Sequence, residues 1–195
     1  MWDKRYDTDE YVYGKKPNEF LVSMSHQIRQ GRVLCLAEGE GRNAVYLATL
    51  GHRVLAVDSS SVGLKKAKLL AAENNVTIET QVADLDHLEI EPEAWDGIVS
   101  IFAQVPSSLR KRLHNKVIQG LRPDGVFILE AYTPEQLKHK TGGPPDEDKM
   151  MTLSGLRQEL EGLRFVHARE FERDVIEGKL HTGRGAVVQV VAVKP

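Results

Sequence analysis

The run VLCLAEGEGRNAVYLA, residues 33 to 48, places Gly39 and Gly41 between an apolar stretch and a segment of helical period. Glycine lets the backbone turn sharply and approach a ligand, and a helix starting there offers unpaired N–H donors. After the next apolar run comes Asp58, close to the roughly 20-residue spacing at which an acid accepts hydrogen bonds from ribose hydroxyls. Together they point to an adenosine-bearing ligand; the plain alternative is a tight turn followed by a helix-capping aspartate.

Charge separates the adenosine ligands. Gly39-Glu40-Gly41-Arg42-Asn43-Ala44 also satisfies the dinucleotide fingerprint with alanine last, so an NAD(P)-dependent oxidoreductase competes. Glu38 and Glu40, however, would set two carboxylates against a pyrophosphate. S-adenosylmethionine has no phosphate and carries an ammonium and a sulfonium, which suits an acidic loop.

The elements that must position these residues alternate short aliphatic runs with helical segments, the pattern of an α/β domain with a mainly parallel sheet. Strands are expected at Val33–Ala37, Arg53–Val57, Thr77–Val82, Trp95–Ile101, Val126–Ala131, Arg164–Phe171 and Ala186–Val193, and helices at Arg42–Leu50, Val62–Asn74, Ser107–Leu121 and near Leu153–Leu160. Ser59–Ser61 offers hydroxyl caps for the second helix. Arg122-Pro123-Asp124-Gly125 should end the third, and TGGPPDED, residues 141 to 148, reads as a long loop. The last two strands form a hairpin whose loop, Glu177–Gly185, falls at the ligand edge, with the final strand antiparallel to the rest.

The strand-Glu38-Gly39-Glu40-Gly41-Arg42-Asn43 turn, Asp58-Ser59, Ala83-Asp84-Leu85 and Trp95-Asp96 resemble class I S-adenosylmethionine-dependent methyltransferases. GEGRNAVYLA followed by GHRVLAVD is similar to the tellurite-resistance (TehB-like) and thiopurine-methyltransferase-like branch. The resemblance covers residues from about 10 to 195 and implies a Rossmann-like sheet of seven strands, order 3-2-1-4-5-7-6, strand seven antiparallel, with helices on both faces. It implies one domain, with residues 1–30 as a lid segment over a core at 31–195. It further implies that the backbone of Ala37, Gly39 and Gly41 meets the methionine portion of the cofactor, with Asn43 in the same turn. Asp58 with Ser59 would take the ribose, Asp84 and Leu85 the adenine, and Ile101 or Phe102 would flank the sulfonium. The pattern departs at Cys35, where the family has an acid, and at Ala37, where it has the first glycine; Glu38 is the substitute for the ammonium contact. Cys35 itself reads as a small core residue.

On the acceptor side His181 is the candidate base in the hairpin loop, because histidine titrates near neutrality. Arg184 in that loop could bind an anionic acceptor, and Tyr132 and Gln136 follow the fifth strand toward the same edge. The aromatic N-terminal stretch supplies Tyr13, whose ring face could meet a sulfonium, and Asn18. Plain alternatives stand beside each: a surface histidine, a solvated arginine, an aromatic helix packed on the sheet.

The chain has 195 residues, 26 Lys+Arg against 28 Asp+Glu and a net charge of -2, a balance that argues against a nonspecific nucleic-acid binder. No apolar run reaches the ~20 residues of a membrane span, and the polar start is unlike a signal peptide, so cytoplasmic residence is the default. His87, His114 and His139 lack spaced partners for a metal, and the basic residues at 65 to 68 and 110 to 112 read as solvated helix faces. The expectation is a methyltransferase for a small-molecule acceptor such as tellurite, another chalcogen or a thiol, with no nucleic-acid partner. A cofactor-binding module without transfer activity is the alternative from a different class.

Overall fold

In the computed structural model, which describes residues 2–178 and 181–195, seven strands form one sheet in the order β3-β2-β1-β4-β5-β7-β6. They are β1 (Arg32–Leu36), β2 (Arg53–Asp58), β3 (Glu79–Val82), β4 (Trp95–Ile101), β5 (Leu121–Tyr132), β6 (Arg164–Glu177) and β7 (His181–Val193). The first five pair in parallel, whereas β7 runs antiparallel to both β5 and β6. This is the strand order the class I resemblance implied.

Central strands buried on both faces need near-continuous apolar sequence. In β1 the period of two sends Val33 and Cys35 to one apolar layer and Leu34 and Leu36 to the other. The first layer is completed by α2 (Glu19–Met24), α3 (Arg42–Thr49) and α4 (Ser61–Glu73) through Leu21, Leu47 and Leu64. The second is covered by α5 (Ser107–Gly120) and α6 (Leu153–Glu159) through Leu113, Val117 and Leu156. Cys35 is fully buried among these side chains, as its core reading required.

Ser60 caps α4, its hydroxyl accepting from Gly63 N at 3.0 Å. Gly41, at φ 90°, lets α3 and α4 close together: a Cβ there would lie 2.5 Å from the Cβ of Ala67. A short helix, α1 (Trp2–Tyr6), precedes α2 and docks on α4.

The sheet's far edge corrects the expected boundaries. The hairpin was expected to open at Glu177–Gly185, but β6 reaches Glu177 and β7 begins at His181, because cross-strand pairing continues through Glu177↔His181. Arg184 therefore lies within a strand. Two basic residues expected on solvated faces are partly or wholly buried: Arg110 forks onto Glu159 with bonds of 2.9–3.2 Å, and Lys66 packs under the N-terminal segment.

Candidate active site

At the carboxyl end of β1 the chain enters its turn through Ala37, a non-glycine residue at φ 50°, and at the end of β4 Phe102 sits at φ 53°. Such left-handed residues are strained and concentrate at functional sites. Between them, Gly39 N donates to Asp58 Oδ2 at 2.8 Å, and Ser60 N donates to Asp58 Oδ1 at 2.8 Å. Asp58 thus ties the glycine turn to the end of β2. Burial pushes its carboxyl above the ordinary range, opposed by those backbone donors.

Glu38 does the capping that Gly41, lacking a side chain, cannot do for α3. Its Oε1 accepts from Asn43 N at 2.9 Å and Ala44 N at 2.8 Å. Burial lifts the Glu38 carboxyl to about 7, against the pull of those N–H groups and of Arg42. Glu40, the other acid of the turn, is matched by Lys66, whose Nζ lies 2.5 Å from Oε1. The electrostatic case for a cationic ligand therefore rests on Glu38.

A cavity of about 370 Å³ opens over this edge, in the roughly 300–1,000 Å³ range of small-ligand sites. Ala37, Glu38, Asn43, Asp58, Ser59, Asp84, Leu85, Ile101 and Phe102, all expected at the cofactor, line it. Gly39 and Gly41, expected there too, are outside the lining: Gly39 packs under the Tyr6 hydroxyl and Gly41 against Ala67. Tyr13 and His181, expected at the catalytic centre, line the same cavity.

The N-terminal segment lines one side of the cavity through Trp2, Tyr6, Tyr13 and Gly14 and is held there by defined contacts. Asp3 Oδ1 accepts from Ser60 Oγ at 2.6 Å, and Tyr6 is buried with its hydroxyl over Gly39. Lys66 Nζ donates to the carbonyls of Tyr6, Thr8 and Glu10 at 3.4, 3.0 and 2.6 Å, so one ammonium straps the segment to α4. Tyr13, Phe102 and Tyr132 surround the His181 ring at centroid distances of 4.7, 5.0 and 5.5 Å. Burial lowers the His181 pKa to about 4, with Glu177 opposing, so the ring is neutral at pH 7.

Behind the cavity lies a buried polar network. Glu130, fully buried, accepts from Arg173 Nε and Nη2 at 2.8 Å each, from Gln189 at 2.7 Å and from Asn18 Nδ2 at 2.5 Å. Asn18 Nδ2 also donates to Glu177 Oε1 at 2.6 Å, and Arg42 Nη2 donates to Glu177 Oε2 at 2.6 Å. Burial pushes the Glu177 carboxyl upward, but Arg42 and Asn18 hold it below the usual range.

The residues expected to contact the acceptor are distributed differently. Asn18 belongs to this network and caps α2 through Leu21 N, and Tyr132 backs Phe102 and His181 rather than lining the cavity. Gln136 spends both ends of its amide on Ala186 N, Thr141 and Gly142, bracing the loop after β5. Arg184 is half exposed and paired with Glu172 and Asp174. Both stand outside the cavity lining. Conversely, Trp2, Tyr6, Arg42 and Gln104 line the cavity without having been expected there. Arg42 was legible as a member of the glycine turn itself; the others required the docking of α1 and the course of the chain after β4.

The donor and acceptor set fits S-adenosylmethionine. Asp58 presents a carboxylate where a ribose would lie, Glu38 an acid for an ammonium, and Arg42 and Gln104 retain buried N–H donors without partners. Among the described residues no group of three or more His, Cys, Asp or Glu could hold a metal ion, and no helix is long and apolar enough to cross a membrane.

Comparison with known proteins follows the same line. Residues 33–125 match a family model described as a methyltransferase domain. The chain is 29% identical over 168 residues to the uncharacterized methyltransferase YbaJ of Bacillus subtilis (strain 168), covering 78% of this chain and 65% of that protein. It is 27% identical over 138 residues to the 2-heptyl-1-hydroxyquinolin-4(1H)-one methyltransferase of Mycobacteroides abscessus, covering 69% of this chain and 58% of that protein. The chain thus spans less than two thirds of these curated relatives. The crystal structure of TehB from Haemophilus influenzae matches its fold with a TM-score of 0.75 at 18% identity, covering 100% of this chain and 66% of that one.

Proposed function

We propose that this chain is a methyltransferase on the class I fold, which transfers the methyl group of S-adenosylmethionine to a small-molecule acceptor and releases S-adenosylhomocysteine. The observation that carries the reading is the convergence of the glycine turn, Asp58, Glu38 and the aromatic ring cluster on one cavity at the carboxyl ends of β1, β2 and β4.

S-adenosylmethionine, when bound, supplies a methyl group made electrophilic by its sulfonium. The chain's own residues supply position, since in-line displacement depends on orientation more than on acid–base chemistry. Asp58, held by Gly39 N and Ser60 N, keeps its carboxylate fixed for sugar hydroxyls. The strapped N-terminal segment excludes water from one side. His181 keeps a neutral ring beside Tyr13 and Phe102, so it offers a lone pair that accepts a hydrogen bond from an acceptor O–H or S–H without adding positive charge near a sulfonium. A base this weak suits an acceptor that is itself acidic.

The cavity's volume and its lid favour a small acceptor: a chalcogen oxyanion, a thiol or a hydroxylated heteroaromatic compound. The named substrate of the Mycobacteroides relative supports the last class. Within this reading His181 and Tyr13 face the acceptor, Asn18 anchors the lid and Tyr132 backs the ring cluster.

The test is release of S-adenosylhomocysteine with tellurite, a small thiol, a hydroxyquinolone and bulk tRNA as acceptors. Turnover is expected with at least one small molecule; with S-adenosylmethionine saturating and an already anionic acceptor the rate should not fall between pH 8 and 6, because His181 protonates only near pH 4 and Glu38, which titrates near 7, acts on cofactor affinity. His181→Ala should lower that rate by about 10²-fold, at the low end for loss of an acid–base group. Turnover confined to tRNA would remove the small-acceptor reading, and an unchanged His181→Ala rate would remove His181 from the reaction.

A further inference from the structure

Arg42 opens α3 in the turn that carries the glycines, and its side chain is only 9% exposed. One arm of the guanidinium is used, Nη2 donating to Glu177 Oε2 at 2.6 Å. Nη1 is buried without a hydrogen-bond partner, and the residue lines the cavity. A buried charged donor left unpaired costs free energy, which marks the place where a partner belongs. Gln104, just after Phe102, brings a second unpartnered buried donor, Nε2, to the same cavity.

The neighbouring carboxylates are already committed. Glu177 is taken by Asn18 and Arg42, Glu130 by Arg173, Gln189 and Asn18, and Glu40 by Lys66. The N-terminus of α3 is likewise spent, since Glu38 Oε1 accepts from Asn43 N and Ala44 N. An anion entering the cavity therefore finds its donors on side chains. Glu38 and Arg42, on either side of the glycine turn and lining one cavity, form a charge pattern complementary to an α-amino acid: an acid for its ammonium, a planar cationic fork for its carboxylate.

We propose that Arg42, assisted by Gln104, receives the carboxylate of the amino-acid end of S-adenosylmethionine, with Glu38 facing the ammonium. The inference rests on the cofactor reading above and adds the side chain that distinguishes a cofactor with an amino-acid end from a bare nucleoside. Arg42 is thereby a binding residue.

The experiment compares S-adenosylhomocysteine with 5′-methylthioadenosine, which keeps the adenosine and thioether but has no amino-acid end, by calorimetric titration of the full chain. Two variants are used: Arg42→Lys, which keeps a charge beside Glu177, and Arg42→Gln combined with Glu177→Gln, which leaves no unpaired buried charge. Both should bind S-adenosylhomocysteine at least about 10-fold more weakly, while 5′-methylthioadenosine changes by less than about twofold. Unchanged affinity for S-adenosylhomocysteine, or equal losses for both nucleosides in the paired variant, would overturn the assignment. So would unchanged S-adenosylhomocysteine binding with a raised KM for an anionic acceptor, which would give the guanidinium to the acceptor. Failure of the unsubstituted chain to bind S-adenosylhomocysteine is a separate result and would count against the cofactor reading itself.

Discussion

Replacing Asp58 by alanine is expected to lower the affinity for S-adenosylhomocysteine by about 100-fold. The carboxylate lies at the cavity end of β2 with each oxygen already accepting one backbone N–H, from Gly39 and from Ser60. Its orientation is therefore fixed before a ligand arrives, and it lines the cavity with lone pairs left to accept from ribose hydroxyls. Hydrogen bonds to a charged group contribute about 1.5–3 kcal/mol each, so losing two costs about 3 kcal/mol, or about two powers of ten in affinity. Asp58→Asn keeps one acceptor oxygen and should lose roughly tenfold. Titration calorimetry, with a thermal melt to show that each variant is folded, measures both; an Asp58→Ala affinity within twofold of the parent would mean that no ribose lies there.

Glu130→Ala carries the largest expected loss of stability. Glu130 is fully buried on β5, and Arg173, Gln189 and Asn18 all donate to it. Removing it leaves the mostly buried Arg173 guanidinium without its fork partner and with only the longer ion pairs to Glu177 and Glu19, at 3.5 and 3.8 Å, and breaking a buried ion pair from one side costs about 3–5 kcal/mol. For a domain of this size, that lowers the melting temperature by on the order of 10 °C. Glu130→Gln, which keeps the shape and some acceptors, should lose less. Because Asn18 joins Glu130 to the start of α2, the alanine variant should also expose the N-terminal segment to limited proteolysis. A melting temperature within about 2 °C of the parent would show that the network contributes little.

These two residues mark what could and could not be read from the chain. Asp58 was legible because its partners are local in pattern: a glycine turn, an aliphatic strand and an acid at a set spacing. The sheet order was implied by the family resemblance that this turn carries, and β4 lies where its aliphatic run placed it, at Trp95–Ile101. Glu130 was not legible. Its partners Asn18, Arg173 and Gln189 are brought together by the extension of β6 past Phe171 and by the docking of α2, neither of which has a local signature, although the antiparallel pairing itself was expected.

Lys66 shows the same limit in a charged residue. Beside Lys65 and Lys68 it reads as part of a solvated face, yet three backbone carbonyls and Glu40 gather around its ammonium once the N-terminal segment folds back. Gln136 and Arg184 were placed at the acceptor by their position after a strand and in a presumed loop. The structure spends the first on bracing a loop, and extension of the hairpin carries the second into β7. The acidic turn was read as two free carboxylates, and one of them is paired. The argument for a cationic, phosphate-free cofactor survives on Glu38, because its carboxyl shares the cavity with Asp58 and the cation that pulls on it, Arg42, is ion-paired to Glu177.

Titration of the unsubstituted chain with S-adenosylhomocysteine and, separately, with NAD⁺ addresses that cofactor choice most directly. The expected outcome is one molecule of S-adenosylhomocysteine bound per chain, with NAD⁺ at least about 100-fold weaker, since its pyrophosphate would face Glu38. Tight binding of NAD⁺ with none of S-adenosylhomocysteine would contradict the assignment.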